Sequence, residues 1–538
     1  MADGNRQQGF GFHATGASKL RHGEIVVDLF AGGGGASEAL RQALGRDPDI
    51  CINHDALAIG MHAANHPLAR HLCEDVWAAD PRTECAGRPV GWLHASPDCT
   101  HFSQAKGGQP RSRATRSLSW VVLKWAGAVR PRIISLENVE QILKWGPLVA
   151  KRDRATRRAL RLDGSVSAPG ERVPIDNQFL VPDKRHAGRT WQHFVAALRR
   201  IGYTVQWRKL RACDYGAGTS RTRLFLIARC DGEPIQWPKP THGPGCAQPF
   251  VTAADCIAWS APCPSIFDRR KPLAEATLRR IARGIKRYVL DAAEPFIVPG
   301  NASFITEFAN ASRGATWPTS EPLRTQCAQV KGGHFAAVSA FIEQANGGGP
   351  SGNPAPPRGA DTPLSTITQT GSQQRLVAAH MVTMRGDNVG SAIDAPVRTL
   401  SAGGEHHAIA TYTLSPETES NALRVAAFLV NYYGNGQALD ITHPVDTITT
   451  RDRLALVTVQ VHGVPHVIVD IGLRMLRPSE LYKAQGFPPD YIIHRTADGR
   501  PINATGAVRM VGNSVSPPPL AAIAAENLDC TQALRCAA

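Results

Sequence analysis

Between Glu24 and Arg229 short apolar runs alternate with segments of helical periodicity. Glu24–Gly32 (EIVVDLFAG) reads as a buried strand entering a glycine-rich turn, and Ala36–Leu44 as the helix that follows. Asp47–Asp55 (DPDICINHD) predicts a second strand with the helix ALAIGMHAANHP after it. Val90–Asp98 (VGWLHASPD) predicts a third strand, followed by the helix SLSWVVLKWAGAVRP, and Arg132–Val139 (RIISLENV) a fourth. The helix RTWQHFVAALRRIGY and two further strands, YTVQWRKLRA and TRLFLIAR, complete the series. Apolar strands separated by amphipathic helices predict an α/β fold: a mostly parallel sheet with helices on both faces. Ligands of such sheets sit at the carboxyl ends of the strands.

The alternation is broken by a basic, loop-like stretch from Lys151 to Arg189. From Trp237 the texture turns to Pro, Gly, Ser and Thr with short β-prone runs. One helical segment stands out there, Pro272–Val289, crowded with Arg279, Arg280, Arg283, Lys286 and Arg287. An imperfect repeat of the form P-[LV]-x-T follows, at Pro322, Pro363, Pro396 and Pro444; three copies lead into a Gly- or His-bearing turn and a β run, and the fourth into the charged RDRLALVTVQV instead. The uneven spacing argues for duplicated β-rich units, not a regular solenoid. From Arg474 the sequence is again helical and domain-like.

Composition narrows the class. The chain has 538 residues, 43% hydrophobic and 20% charged, which excludes wholesale disorder. Lys and Arg total 60 against 45 Asp and Glu, a net charge of +15, which favours a polyanionic partner. No uninterrupted apolar run reaches the ~18 residues of a membrane span. The first residues, MADGNRQQGFGFHATG, lack the apolar core of a signal peptide, so the expected compartment is cytoplasmic. The 12 cysteines include no C-x-x-C pair, so reduced thiols are expected and no metal site.

Four short motifs carry chemistry. Val26–Gly35 (VVDLFAGGGG) places glycines where a strand gives way to a helix, letting a ligand approach backbone N–H groups. No G-K-[ST] follows, which argues against a phosphate-binding P-loop. Polar residues near the next strand end, Asn53, Asp55 and then Asp75, suit a nucleoside-like ligand. Ala95–Ser103 (ASPDCTHFS) puts Cys99 at the sheet's carboxyl edge, before a loop carrying Lys106, Arg111, Arg113 and Arg116; cations near a thiol favour the nucleophilic thiolate. Glu137 ends the fourth strand in LENV, where a carboxyl can act as a general acid. Arg221 and Arg223 alternate along a strand and so face one side. Taken singly, each has an ordinary explanation: a tight turn, a core thiol, a capping carboxylate, a solvated pair of arginines.

Taken in order, they resemble the cytosine-C5 DNA methyltransferase family. FAGGGG is similar to that family's F-A-G-x-G-G, SPDCTHFS to its P-C-Q-x-F-S, LENV to its E-N-V, and TSRTR to its Q-x-R-x-R. Arg474–Tyr491 (RMLRPSELYKAQGFPPDY) and Val511–Pro518 (VGNSVSPP) resemble its two C-terminal motifs. The resemblance covers residues 1–234 and 466–538 and implies a Rossmann-like catalytic and cofactor-binding domain in those two parts. Residues 235–465 fall where the family places its variable, β-rich target-recognition domain.

The resemblance also implies roles. S-adenosylmethionine would be the methyl donor, contacted by Phe30, Gly32, Gly34, Gly35, Asp75, Pro97, Asn513 and Val515. Asn53 would meet its ribose and His54 its adenine. Cys99 would attack C6 of a cytosine flipped out of double-stranded DNA. Glu137 would hold a proton at N3, Arg223 supported by Arg221 would bind O2, and Asn138 would hold the surrounding loop. Ser103, Lys106, Arg111 and Arg113, together with Arg279, Arg280 and Arg283, would contact DNA. A monomer without metal is expected, in a bacterial or phage-encoded setting. Several positions depart from the family pattern: Asp98 replaces the usual proline and is expected to point outward, Thr100 and Thr219 replace glutamines, and Asn53 stands where a ribose-binding glutamate is common. Two alternatives stay open, a tRNA substrate and a DNA-binding relative without activity, as do the recognition sequence and a restriction partner.

Overall fold

The computed structural model describes residues 20–98, 117–258, 261, 264–267, 269–285 and 471–528. At 254, 276, 280 and 284, and in strand segments at 301–307, 335–341, 343–344, 374–383, 407–415, 458–461 and 464–470, it describes backbone alone. The elements of the first part are β1 (Ile25–Leu29), α1 (Gly35–Leu44), β2 (Ile50–Ile52), α2 (Ala56–Asn65), β3 (Arg70–Leu72), α3 (Pro81–Cys85), β4 (Val90–Ala95), α4 (Val121–Val129) and β5 (Ile133–Asn138). Then come β6 (Leu148–Ala150), β7 (Leu180–Pro182), α5 (Arg189–Arg200), β8 (Thr204–Arg211) and β9 (Thr222–Arg229).

Seven of these strands form one sheet in the order β3-β2-β1-β4-β5-β9-β8. The first five are parallel, and β9 and β8 close the far side antiparallel. Strand order reverses between β1 and β4, and in doubly wound sheets that switch point is where ligands bind. Successive residues of the central strands serve opposite layers. Val27, Leu93, Ile134 and Leu226 pack with Trp125 of α4 and Phe194 of α5. Their neighbours Val26, Trp92, Ile133 and Phe225 pack with Leu40 of α1 and with Leu520 and Ile523 from the chain's end. Both faces are therefore apolar, which is why these strands read as continuous runs.

The sequence pattern misses β3. It is a three-residue edge strand, Arg70–Leu72, with an exposed arginine and no run of apolar residues. It also misreads Lys151–Arg189 as loop. Besides the β6–β7 pair, isolated bridges join Arg152 to Ala159, Leu160 to Val166 and Arg161 to Gln178, and Arg189 opens α5. These pairings are too short and too solvated to leave a period in the sequence.

The chain continues through α6 (Ala253–Cys256) and α7 (Glu275–Ile285), where Leu278, Ile281, Ala282 and Ile285 make the buried stripe. Strands β10 (Asn301–Glu307), β11 (Phe335–Phe341), β12 (Glu343–Gln344), β13 (Gln374–Thr383), β14 (His407–Ser415), β15 (Thr458–Val461) and β16 (Val464–Met475) pair, mostly antiparallel, in the order β12-β13-β14-β10-β11-β16-β15. The four repeat prolines lie outside the described residues, and β11, β13, β14 and β15 follow them in turn.

Three helices end the described chain: α8 (Pro478–Gln485), α9 (Ala504–Asn513) and α10 (Pro517–Leu528). They return to the first sheet. Arg229 of β9 donates to the Asn527 carbonyl at 3.0 Å, and Arg474 pairs with the buried Glu480 at 2.8 Å. Glu480 in turn accepts from the backbone N–H of Arg477 (2.6 Å) and of Ala258 (2.8 Å). The R-x-L-x-x-x-E spacing thus builds a charge-assisted lock at the start of α8. No helix among the described residues is long and apolar enough to cross a membrane.

Candidate active site

The carboxyl edge of the sheet is assembled from the glycine turn upward. Phe30 adopts φ 65°, an uncommon left-handed conformation for a bulky residue, and turns the chain out of β1. Gly34 follows at φ 96° as the N-cap of α1, where a Cβ would strike the Tyr491 hydroxyl. A Cβ on Gly35 would run into Ser514 Oγ and the Val515 carbonyl. These two glycines therefore let the C-terminal VGNSV segment close on the turn. Phe30 and Gly32 stay partly exposed at its lip, Asn513 is exposed beside it, and Val515 is buried.

The second wall comes from β2 and the segment after β3. Asn53 is half-buried, and its Oδ1 accepts from the backbone N–H of Asp55 at 2.8 Å. Asp55 caps α2 and pairs with Arg509 at 2.6 Å, tying this wall to α9. His54 and Asp75 are exposed, and Asp75 Oδ1 accepts from the Trp77 N–H at 2.8 Å.

The third wall is the end of β4 and β5. Asn138 Nδ2 donates to the Pro97 carbonyl at 2.9 Å, which pins the chain two residues before Cys99. Pro97 is buried and Asp98 is exposed. Cys99, Ser103, Lys106, Arg111 and Arg113 lie outside the described residues.

Glu137 is buried next to that pin. Its Oε1 lies 3.1 Å from Arg223 Nε and 3.9 Å from Arg221 Nη2, yet accepts no hydrogen bond among the described residues. Burial pushes its pKa above the usual carboxylate range, and the two guanidinium groups offset only part of that. Arg221 is anchored by donating to the Gly512 carbonyl at 3.1 Å, and its backbone N–H donates to Thr219 Oγ1 at 3.2 Å. Thr219 is thus a backbone prop in place of the family's glutamine. A buried carboxyl with an unmet acceptor, set between two arginines at a strand end, is shaped to meet a polar ligand.

Arg279, Arg280 and Arg283 lie elsewhere, on α7: Arg279 is exposed and paired with Glu275, and Arg283 is half-buried. A groove of about 280 Å³, lined by Trp120, Trp145 and Thr190, opens at the foot of the 147–188 segment and does not include Glu137 or the glycine turn.

One buried polar chain behind the turn left no sequence signal. Ser37 donates to Asp28 at 2.7 Å, His62 Nε2 lies 2.9 Å from the same hydroxyl, and His62 Nδ1 lies 2.9 Å from His71. Elements α1, α2 and β3 bring these residues under β1 from four places in the sequence. Burial raises the Asp28 carboxyl to about 7. A carboxyl so raised contributes stability that is present below its unfolded pKa and lost as pH climbs through the folded one. Asp28→Asn should therefore remove a pH dependence between about pH 4 and 7 on the order of 4 kcal/mol. Urea unfolding of both proteins across that range measures it; parallel curves would refute the assignment.

The geometry defines a class: a doubly wound α/β protein with a glycine turn at its switch point and a buried acid on the same sheet edge. Residues 25–146 and 179–248 match the family model of the C-5 cytosine-specific DNA methylase. Those two stretches make up a domain of that family. It is 27% identical over 223 residues to the type II methyltransferase M.AgeI of Thalassovita gelatinovora, covering 40% of this chain and 42% of that one. It is 24% identical over 243 residues to M.SacI of Streptomyces achromogenes, covering 41% and 52%. The chain thus spans about half or less of the length of these two relatives. Among solved structures, a Spodoptera frugiperda DNMT2 mutant aligns at TM-score 0.43 and 12% identity, over 93% of this chain and 97% of that one.

Proposed function

We propose that this chain methylates C5 of a cytosine flipped out of a specific double-stranded DNA sequence, with S-adenosylmethionine as donor and Cys99 as nucleophile. The observation that carries the reading is Glu137: buried, without a hydrogen-bond donor at Oε1 among the described residues, flanked by Arg223 and Arg221, and coupled through Asn138 to the chain leading to Cys99. Cytosine C5 is a weak nucleophile. A thiolate bonding to C6 makes the ring electron-rich at C5, and that attack needs N3 protonated or hydrogen-bonded. A carboxyl whose pKa burial raises suits that role. Arg223 suits the carbonyl oxygen at C2, and Arg221 holds the pair in place from Gly512. Once C5 has taken the methyl group, a base such as water removes the C5 proton, N3 returns its proton to Glu137, and β-elimination breaks the C6–S bond to restore the ring and release the Cys99 thiolate.

The polar groups around the glycine turn suit an adenosine carrying an amino acid. Asp75 is an acceptor for an adenine amino group, the Asn53 amide suits a ribose hydroxyl, and the Phe30 and Gly32 backbone borders the N-terminus of α1. Gly34, Gly35 and Val515 shape that wall, and His54, Pro97 and Asn513 border the opening. The cofactor would supply an electrophilic methyl group on a sulfonium. Central residues 235–465 would read the target sequence, with Arg279, Arg280 and Arg283 on phosphates.

DNA carrying 5-fluorocytosine at the target tests the covalent step. Fluorine at C5 cannot leave as a proton, so the Cys99 adduct should persist as a shifted band on a denaturing gel. Transfer of label from S-adenosylmethionine to duplex DNA without such a band would sink the Cys99 route. Label on tRNA alone would move the substrate to RNA.

A further inference from the structure

The family-model match stops at Gly146 and resumes at Phe179. The segment between is an ordered arm. Its foot is closed where Thr190 N donates to Trp145 O (2.9 Å), Asp183 N to Pro147 O (3.0 Å) and Lys151 N to Phe179 O (2.7 Å). Above the foot, Phe179 N bonds Leu160 O (2.9 Å), Leu162 N bonds Asn177 O (3.0 Å), and Ser167 N bonds Ala159 O (3.0 Å). The tip is a reverse turn at Asp163–Gly164, with Gly164 at φ 87°. Val173 and Leu180 are the arm's buried apolar residues. Ordering some forty residues for so little apolar burial is unfavourable in itself, so the arm's role is not to build a core.

Its surface is basic. Nine Lys and Arg stand against five Asp and Glu between Pro147 and Gly188. Arg161 is paired to Glu171 and Arg185 to Asp183. Lys151, Arg152, Arg154, Arg158, Arg172 and Lys184 form no ion pair among the described residues. The arm also holds four of the seven large apolar side chains that are exposed among the described residues: Val149, Leu162, Val166 and Ile175. Leu162, 47% exposed, sits beside the turn at the tip.

Position decides what such a surface is for. The arm leaves the sheet through Val139–Gly146, directly after Glu137 and Asn138. It therefore rises from the carboxyl edge that holds the proposed reaction site, and a duplex with one base at Glu137 would carry its backbone past this foot. We propose that the arm is a second DNA-binding element of this chain, with Arg154, Arg158 and Arg172 on phosphates and Leu162 and Val166 against sugar edges of the groove. Phosphate contacts of this kind position the duplex without reading its sequence. The proposal rests on duplex DNA being the substrate.

The triple variant Arg154→Gln, Arg158→Gln, Arg172→Gln tests it, against the parent chain and with the same duplex. Among the described residues none of the three touches Glu137, the glycine turn or a buried side chain, so the thermal midpoint should not move. Each lost phosphate contact removes about 0.9 from the slope of log affinity on log salt, so the slope should fall by about 2 to 3. Affinity should drop about tenfold for target and unrelated duplex alike. The rate at saturating DNA should stay within about twofold, because phosphate contacts act on binding. A parent that methylates duplex DNA and a variant with unchanged affinity and salt slope would overturn the arm and leave the function standing. A parent that neither binds nor methylates duplex DNA would overturn both. If Leu162→Asp changes the mass in solution while the arginine variant binds DNA normally, the arm is a face between copies and the proposal is wrong.

Discussion

Cys99→Ser is expected to cut methyl transfer at least about 10⁴-fold while leaving duplex affinity within a few-fold of the parent. A serine hydroxyl is isosteric with the thiol but is not ionised near neutral pH, so the bond to C6 does not form. Binding should survive because affinity comes from phosphate and groove contacts spread over the chain. The two measurements separate mechanism from architecture. Equal loss of transfer and of binding would make Cys99 a structural residue. Retained transfer would remove the covalent step altogether. The segment ahead of Cys99 is held by Asn138 through Pro97, so Asn138→Ala offers a graded control. Freed of that 2.9 Å bond, the nucleophile should lose rate without losing its chemistry: the 5-fluorocytosine adduct should still form, only more slowly.

The sheet is legible in the sequence because its central strands are buried on both faces. Val26–Val27, Trp92–Leu93 and Ile133–Ile134 each give one residue to each layer, so the apolar run survives any uncertainty in register. The site motifs are legible for a related reason: a doubly wound sheet brings strand ends together, so residues at the ends of β1, β4 and β5 must share an edge. Edge and insert structure is another matter. The short β3 and the 147–188 arm are held by backbone hydrogen bonds between polar, exposed residues, which leave no periodicity to read. The Asp28–Ser37–His62–His71 chain is hidden for a third reason. Its members belong to four different elements, and only the packed fold makes them neighbours. The glycines show how one motif can have a second use. The sequence assigns them to a ligand turn, and in the fold Gly34 and Gly35 leave room for Tyr491, Ser514 and Val515 from the far end of the chain.

Glu137→Gln is expected to lower the rate of transfer about 10²- to 10⁴-fold, the range for loss of a general acid. Gln has the shape of the protonated carboxyl but no proton to give. Because burial raises the Glu137 pKa, the parent keeps its proton to higher pH than an ordinary carboxyl and should lose activity as pH climbs through that raised value. The Gln variant should lack this alkaline limb, and single-turnover rates across the pH range would show it. Stability separates this from a structural ion pair with Arg223. Removing one partner of a buried ion pair destabilises by about 3 to 5 kcal/mol. A carboxyl that is neutral in the folded state is instead already matched by Gln. Below the ordinary carboxylate range, where Glu137 is protonated both folded and unfolded, the variant should unfold at the same urea concentration as the parent. As pH climbs from there to the raised folded value the parent loses stability that the variant keeps, so the variant should be no less stable. Lost activity with undiminished stability would mark Glu137 as a group kept for chemistry at the fold's expense. Lost stability at every pH would make the 3.1 Å contact to Arg223 a structural clamp and leave N3 without its acid.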